Sequence, residues 1–258
     1  MGNITRLNTV FSNNKLPALI DRDVSAIEAE ILKHKNLQGF WDFSDKSTMM
    51  MSGTSITRVS DKSTKGRNLT TSLATAPTLD NFVLGNMPSA FFDGSKHFET
   101  TENVFQANWK NMTIVAFAMK HKATSPANTI LVSPKTSPNI GIYTNNVSLS
   151  SSGVISLNLG TLVGKPLNII NTSDFALEKT VIRTPNAVNQ AVHANRDCVD
   201  SPLYVGKWAD SGNPNTAISW NGYIGHVMIF DTDLELDPIF MNTLFEYARR
   251  KYGTPSWE

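Results

Sequence analysis

The segment 220–253, WNGYIGHVMIFDTDLELDPIFMNTLFEYARRKYG, constrains the fold of this chain more than any other. Tyr223, Gly225, Val227 and Ile229 alternate with Ile224, His226, Met228 and Phe230, and a period of two is the mark of a strand. Both sets are largely apolar, so the strand is expected to be covered on both faces. Asp231 to Leu236 break the pattern with acidic and turn-forming residues. Asp237 then offers an N-cap, and Pro238 a first helical residue whose missing N–H costs nothing. Ile239, Phe240, Leu244, Tyr247 and Ala248 recur at helical spacing. Arg249, Arg250 and Lys251 suit the negative helix end, and Gly253 the left-handed cap. The spacing predicts a central strand, a tight corner and one closing helix.

Upstream the chain is polar and rich in turns. Residues 1–22 read as irregular, and Ser25 with Glu28 as a capping box opening a helix over 24–35 with Val24, Ile27 and Ile31 on one stripe. That helix reads equally as packing on the main body or as an arm docking on a neighbouring subunit. Phe40 and Asp42 are set against Trp41 and Phe43 in an opening strand. Asp93-Gly94 between Phe91-Phe92 and Phe98 signals a hairpin. Residues 111–120 alternate Met112, Ile114, Ala116 and Ala118 with Thr113, Val115, Phe117 and Met119, the clearest interior strand. Further strands are expected at 129–132, 139–143, 152–158, 167–170 and 175–183, while 186–195 is ambiguous between strand and helix. A charged fraction of 17% with abundant Ser, Thr and Asn suits a β-rich protein. With no repeat or linker between 37 and 253, the expected organisation is an arm and helix over 1–36 followed by one domain over 37–258.

The terminal strand and helix, the stretch from Asp42-Phe-Ser-Asp to the turn with Gly66 and Asn68, the Phe-Asp-Gly at 92–94 and Leu203-Tyr-Val-Gly carry a resemblance. Together they resemble concanavalin A-like lectin/glucanase domains, laminin-G-like versions of which occur in bacterial surface and phage virion proteins. Thr64 stands where that family usually has Gly. The resemblance implies an all-β, concanavalin A-like jelly-roll β-sandwich with a short N-terminal helix and a C-terminal one.

Candidate chemistry is sparse. Glycanases of the superfamily share a Glu-x-Asp-x-x-Glu strand; here Glu235-Leu-Asp237 is followed by Phe240, and Pro238 makes it a helix start, so no catalytic residue is assigned. The histidines show no metal spacing, so no metal residue is assigned. His226 reads as a hydrogen-bonded residue of an apolar strand. No cofactor is expected; the resemblance leaves calcium open, with Asp197, Asp200 and Asp210 as loop candidates better explained by turn solvation. For sugar binding, Trp208 with Asp210, Asn213 and Asn215 in one loop supplies an aromatic platform and planar polar groups. Against this stands a packing role for Trp208 and Trp220, favoured because Trp is buried on average.

A net charge of +1 gives no field for nucleic acid or an anionic membrane, and no apolar run is long enough to insert in a bilayer. Cys198 is the one cysteine, which excludes an internal disulfide, and no secretory signal is visible. The resemblance then implies a non-enzymatic phage-type virion protein, on capsid or tail, contacting other virion proteins through residues 1–36. Its setting would be the virion, as part of a homo-oligomer or larger assembly, with glycan binding as a secondary role. The alternative is a glycoside hydrolase or depolymerase, degrading polysaccharides with an unrecognised carboxylate pair.

Overall fold

The computed structural model describes residues 23–122, 129–136, 140–144, 148–151, 155–192, 197–207 and 219–253. The expected arm over 1–22 lies outside them. The chain opens with α1 (Ser25–Lys33), β1 (Leu37–Asp42) and a 3-10 turn (Lys46–Thr48). Next come β2 (Met49–Ser52), β3 (Ser55–Val59), β4 (Leu69–Thr70), β5 (Thr78–Leu84), β6 (Met87–Asp93), β7 (Phe98–Thr100) and β8 (Asn111–Lys120). The middle holds β9 (Thr129–Pro134), β10 (Ile142–Thr144), β11 (Ser148–Ser151), β12 (Ile155–Asn158), β13 (Pro166–Asp174), β14 (Lys179–Thr184) and β15 (Ala187–Val192). The chain closes with β16 (Leu203–Val205), β17 (Asn221–Phe230), a 3-10 turn (Leu234–Leu236) and α2 (Pro238–Tyr252).

Two antiparallel runs face each other across the main core. One is β15–β14–β13–β8–β17, with the far edge of β17 shared between β1 along 226–230 and β6 along 221–224, and β5 beyond β6. The other is β12–β11–β10–β9–β16–β7–β4–β3–β2. The pair Ser55–Thr78 joins β3 to β5, so hydrogen bonding runs through all seventeen strands of the described residues as one network. This corrects the expected concanavalin A-like jelly-roll β-sandwich of two facing sheets, since here a single ladder network joins both runs. The hairpin expected at Asp93-Gly94 is corrected too: the turn forms, with Gly94 at φ 93°, but β6 pairs with β17 and β5 while β7 pairs with β16 and β4. The turn is a corner between the two runs.

The alternation along β17 changes phase. Ile224, Val227 and Ile229 enter the core between the runs, while Met228 and Phe230 face the helices. Against β8, Ile224 pairs with Ala118 and His226 with Phe117, which leaves Gly225 as the extra residue of a bulge. A Cβ on Gly225 would stand 2.8 Å from the Tyr252 ring, so the bulge is where α2 lies against the sheet.

The start of the closing helix is as its sequence reads, with the Asp237 side chain accepting from Phe240 N at 3.0 Å and Pro238 in the first turn. Its end differs, since Gly253 takes φ 85° with ψ 169°, which is not the expected left-handed cap. Phe240, Met241, Leu244, Tyr247, Ala248 and Tyr252 are buried, each large apolar side chain contributing roughly 1.5–3 kcal/mol. α1 packs on the same side through Ile31. Its N-terminus departs from the capping box: Asp23 accepts from Ser25 N at 2.9 Å, and Glu28 reaches away from its own helix.

Candidate functional site

Strand β1 runs apolar through Phe40 and Trp41 and ends on a fully buried carboxylate, Asp42. Burying a charge is costly unless its lone pairs are met, and one local residue and two distant ones meet them. Ser44 donates to Asp42 Oδ1 from its backbone N at 3.0 Å and its hydroxyl at 2.7 Å. Asp42 Oδ2 takes the Lys251 ammonium of α2 in a short ion pair, and Lys62 at 3.5 Å. Lys62 also binds Asp45 Oδ2 at 3.1 Å and Glu28 of α1. Lys251 donates to the Tyr247 hydroxyl at 2.8 Å, and that hydroxyl donates to Glu28 at 2.8 Å. Three carboxylates, two ammoniums and a phenol thus interlock α1, β1 and α2.

Lys62 is placed by a turn whose hub is Asp61, which accepts from Phe40 N, Ser63 N, the Ser63 hydroxyl and Arg67 N. Gly66 supplies the left-handed residue, at φ 68°. Above the network opens a cleft of about 420 Å3, lined by Asp23, Ser25, Glu28, Ser44, Asp45 and Met87 among others.

Asp42, Lys62 and Tyr247 each keep one protonation state at neutral pH. Burial alone would push the Asp42 carboxyl up, but Lys251, Ser44 and Lys62 outweigh it and hold it below the usual range. Burial would lower Lys62, and Glu28, Asp42 and Asp45 raise it instead. The Tyr247 phenol is pushed well up, by burial and then by Asp42, and stays a proton donor. Such a surface can grip sugar hydroxyls through ionised oxygens and ammoniums. A glycosidase acid needs a raised carboxyl, and among the described residues that is Asp233, raised by burial and by Glu235 and Asp174. Asp233 lies before the N-terminus of α2 and Lys251 near its C-terminus, roughly 20 Å apart along a helix of this length. The two sets do not form one acid–base pair.

Beneath the cleft, His226 is fully enclosed, its Nδ1 3.2 Å from the Tyr252 hydroxyl. Burial, with Lys251 nearby, lowers its pKa from 6.5 to about 3. The unfolded chain therefore binds an extra proton between those values, and stability rises with pH across that window. His226 adds stability that is complete above about pH 6.5 and is lost as pH falls toward the folded value. Thermal melts from pH 3 to 8 should show this slope. In His226→Gln, which keeps a polar partner for Tyr252, the part between pH 4.5 and 6.5 should vanish, and an unchanged slope would assign it to other groups.

The residues read from sequence as a sugar platform, Trp208, Asp210, Asn213 and Asn215, lie outside the described residues, as does His193. Trp220 is fully buried in the main core. Asp200 accepts from Ala107 N at 2.9 Å, a turn-solvating role. Among the described residues no group of three or more His, Cys, Asp or Glu is placed to hold a metal ion. Cys198 is buried, its thiol pushed up to about 11 by burial. The cleft itself went unread because each member has an ordinary local role: Glu28 a cap, Asp42 a turn, Lys251 a helix end. One signal was there, since Lys251 follows Leu244, Tyr247 and Ala248 on the apolar face of α2.

No protein-family model matches the sequence, and no curated protein does. Solved structures do match. A Trypanosoma rangeli sialidase in complex with sialic acid is similar at a TM-score of 0.56 and 13% identity, over 86% of this chain and 34% of that one. Domain 4 of AbnA, a GH43 extracellular arabinanase from Geobacillus stearothermophilus, in complex with arabinotriose, is similar at 0.51 and 12%, over 83% of this chain and 98% of that one. The chain spans about a third of the sialidase's length. At these identities the likeness is one of fold.

These neighbours correct the resemblance drawn from sequence. They are glycosidase structures, where a phage-type lectin sandwich was expected. The virion setting, the virion partners contacted through residues 1–36, and the role as a non-enzymatic capsid or tail component are overturned with it.

Proposed function

We propose that this chain is a carbohydrate-active protein of the glycoside-hydrolase kind, whose part is to engage an oligosaccharide. The observation that carries the reading is the match to the arabinanase domain, which covers most of this chain and nearly all of that domain, a domain solved with arabinotriose. The polar cleft supports it. Glu28 and Asp45 present ionised acceptors and Lys62 a donor, held in place by the buried Asp42–Lys251 pair, a complementary set for sugar hydroxyls.

The test is a panel of immobilised arabino-oligosaccharides, neutral glucans and sialyllactose. Retention of the protein and release of reducing ends are read in parallel on each. At least one oligosaccharide should be retained or cleaved. Asp45→Asn keeps the acceptor for Ser47 N that caps the 3-10 turn but removes a charge, and should weaken retention several-fold with little change in melting. A panel blank in both readouts would sink the reading.

A further inference from the structure

The cleft does not end at its charged residues. Met87, which lines it, is the first residue of β6, and Ser89 and Phe91 follow on the same face of that strand. Four residues of strand advance roughly 13 Å, and at that distance stands an aromatic group. Phe91 lies across from Tyr223 on β17, ring centroids 4.9 Å apart. The exposed His121 closes against both, edge-on at 5.4 Å to Phe91 and 5.7 Å to Tyr223. His121 is held by its backbone N–H on Asn221 O at 3.1 Å.

Polar groups converge on the same face. Asp80 of β5, half-buried, accepts from the Tyr223 hydroxyl at 3.3 Å through Oδ2, which leaves Oδ1 to accept from a ligand. Opposite it in the ladder is Ser89, fully buried, whose hydroxyl has no hydrogen-bond partner among the described residues. Two residues beyond Asp80, Phe82 stands 72% exposed at φ 68° in the bulge of β5. A bulky residue in left-handed backbone is a strained arrangement of the kind that gathers at binding sites.

We propose that the half-buried Phe91 and the exposed His121, backed by the buried Tyr223 and flanked by Asp80, form a second sugar subsite, and that a neutral linear oligosaccharide reaches from the polar cleft to this subsite. Phe91 and His121, set edge-on to each other, offer apolar ring contacts to a sugar's C–H face, and the Asp80 carboxylate accepts its hydroxyls. The same carboxylate repels an anionic sugar, so the ligand class is neutral. This rests on the glycan reading above and adds to it a direction, a length and a charge preference.

The test is a titration of the whole chain with arabinose, arabinobiose and arabinotriose, the matching maltose series, and sialyllactose. Affinity should rise with length in a neutral series and be weakest for sialyllactose. His121→Ala and Asp80→Asn should each cost about tenfold for the trisaccharide, the scale of one lost ring contact or charge-assisted hydrogen bond, and leave the monosaccharide and the melting temperature unchanged. Wild-type binding without length dependence, or a length dependence both variants retain, would overturn the platform while the cleft reading stands. Sialyllactose bound as tightly as the neutral trisaccharides would overturn the charge preference. Silence across both series and the panel would remove the glycan reading itself.

Discussion

Asp42→Ala should be among the most damaging single substitutions in this protein, lowering stability by about 3–5 kcal/mol. The reason is what it leaves behind. Lys251 is buried and Lys62 nearly so, and both ammoniums bind Asp42 Oδ2. Removing the carboxylate strands positive charge where water does not reach, and frees the Ser44 N–H and hydroxyl as well. For a chain of this length the melting midpoint should fall by about 10 °C. Asp42→Asn keeps an acceptor for Ser44 but not the charge, and should fall nearly as far. Adding Lys251→Met to Asp42→Asn removes one stranded ammonium and fills its space, so the double variant should recover part of the loss. Urea and thermal unfolding measure all three, and a loss below about 1 kcal/mol in Asp42→Ala would mean that both ammoniums reach solvent.

Trp41→Ala should cost a similar amount, about 3–5 kcal/mol, by a different route. Trp41 is fully buried in the main core, and its Nε1 donates to Arg67 O at 2.8 Å. Truncation opens a large cavity and orphans that carbonyl. Trp41→Phe fills most of the space and loses mainly the hydrogen bond, so it should cost about 1–2 kcal/mol. Gly39 gives an independent check, because a Cβ there would stand 2.2 Å from the Trp41 ring. Gly39→Ala should therefore displace the ring and resemble the Trp41 variants. Near-UV circular dichroism reports the indole's surroundings, and an unperturbed spectrum in Gly39→Ala would refute the packing described.

The features legible in the sequence were those governed by near neighbours. The cap at Asp237 and the Pro238 start of α2 rest on contacts within a few residues. So do the turn at Gly66 and the alternation of β8. The ambiguous stretch after Asn186 is β15, where exposure of Val188 and Val192 had blurred the alternation. The hairpin of β2 and β3 carried no signal, because Met49 to Met51 is apolar without alternating and largely exposed. What escaped depended on distant partners. The phase change at Gly225 is set by Tyr252, and Asp93-Gly94 became a corner because β6 and β7 find different neighbours. The cleft joins Glu28, Asp42, Lys62 and Lys251, and the aromatic subsite joins Asp80, Phe91, His121 and Tyr223, across separations that no local pattern reveals.

The position of β17 has a further consequence. It is the last strand among the described residues, yet β1, β6 and β8 all pair with it, β1 from nearly two hundred residues earlier. During synthesis those three must wait with open hydrogen-bonding edges until residues beyond 220 emerge. Such delayed, long-range closure slows folding and exposes sticky intermediates. A chain stopped at residue 219 should collect as aggregate, and supplying 220–253 as a separate peptide during refolding should restore solubility, as a missing keystone does for an arch.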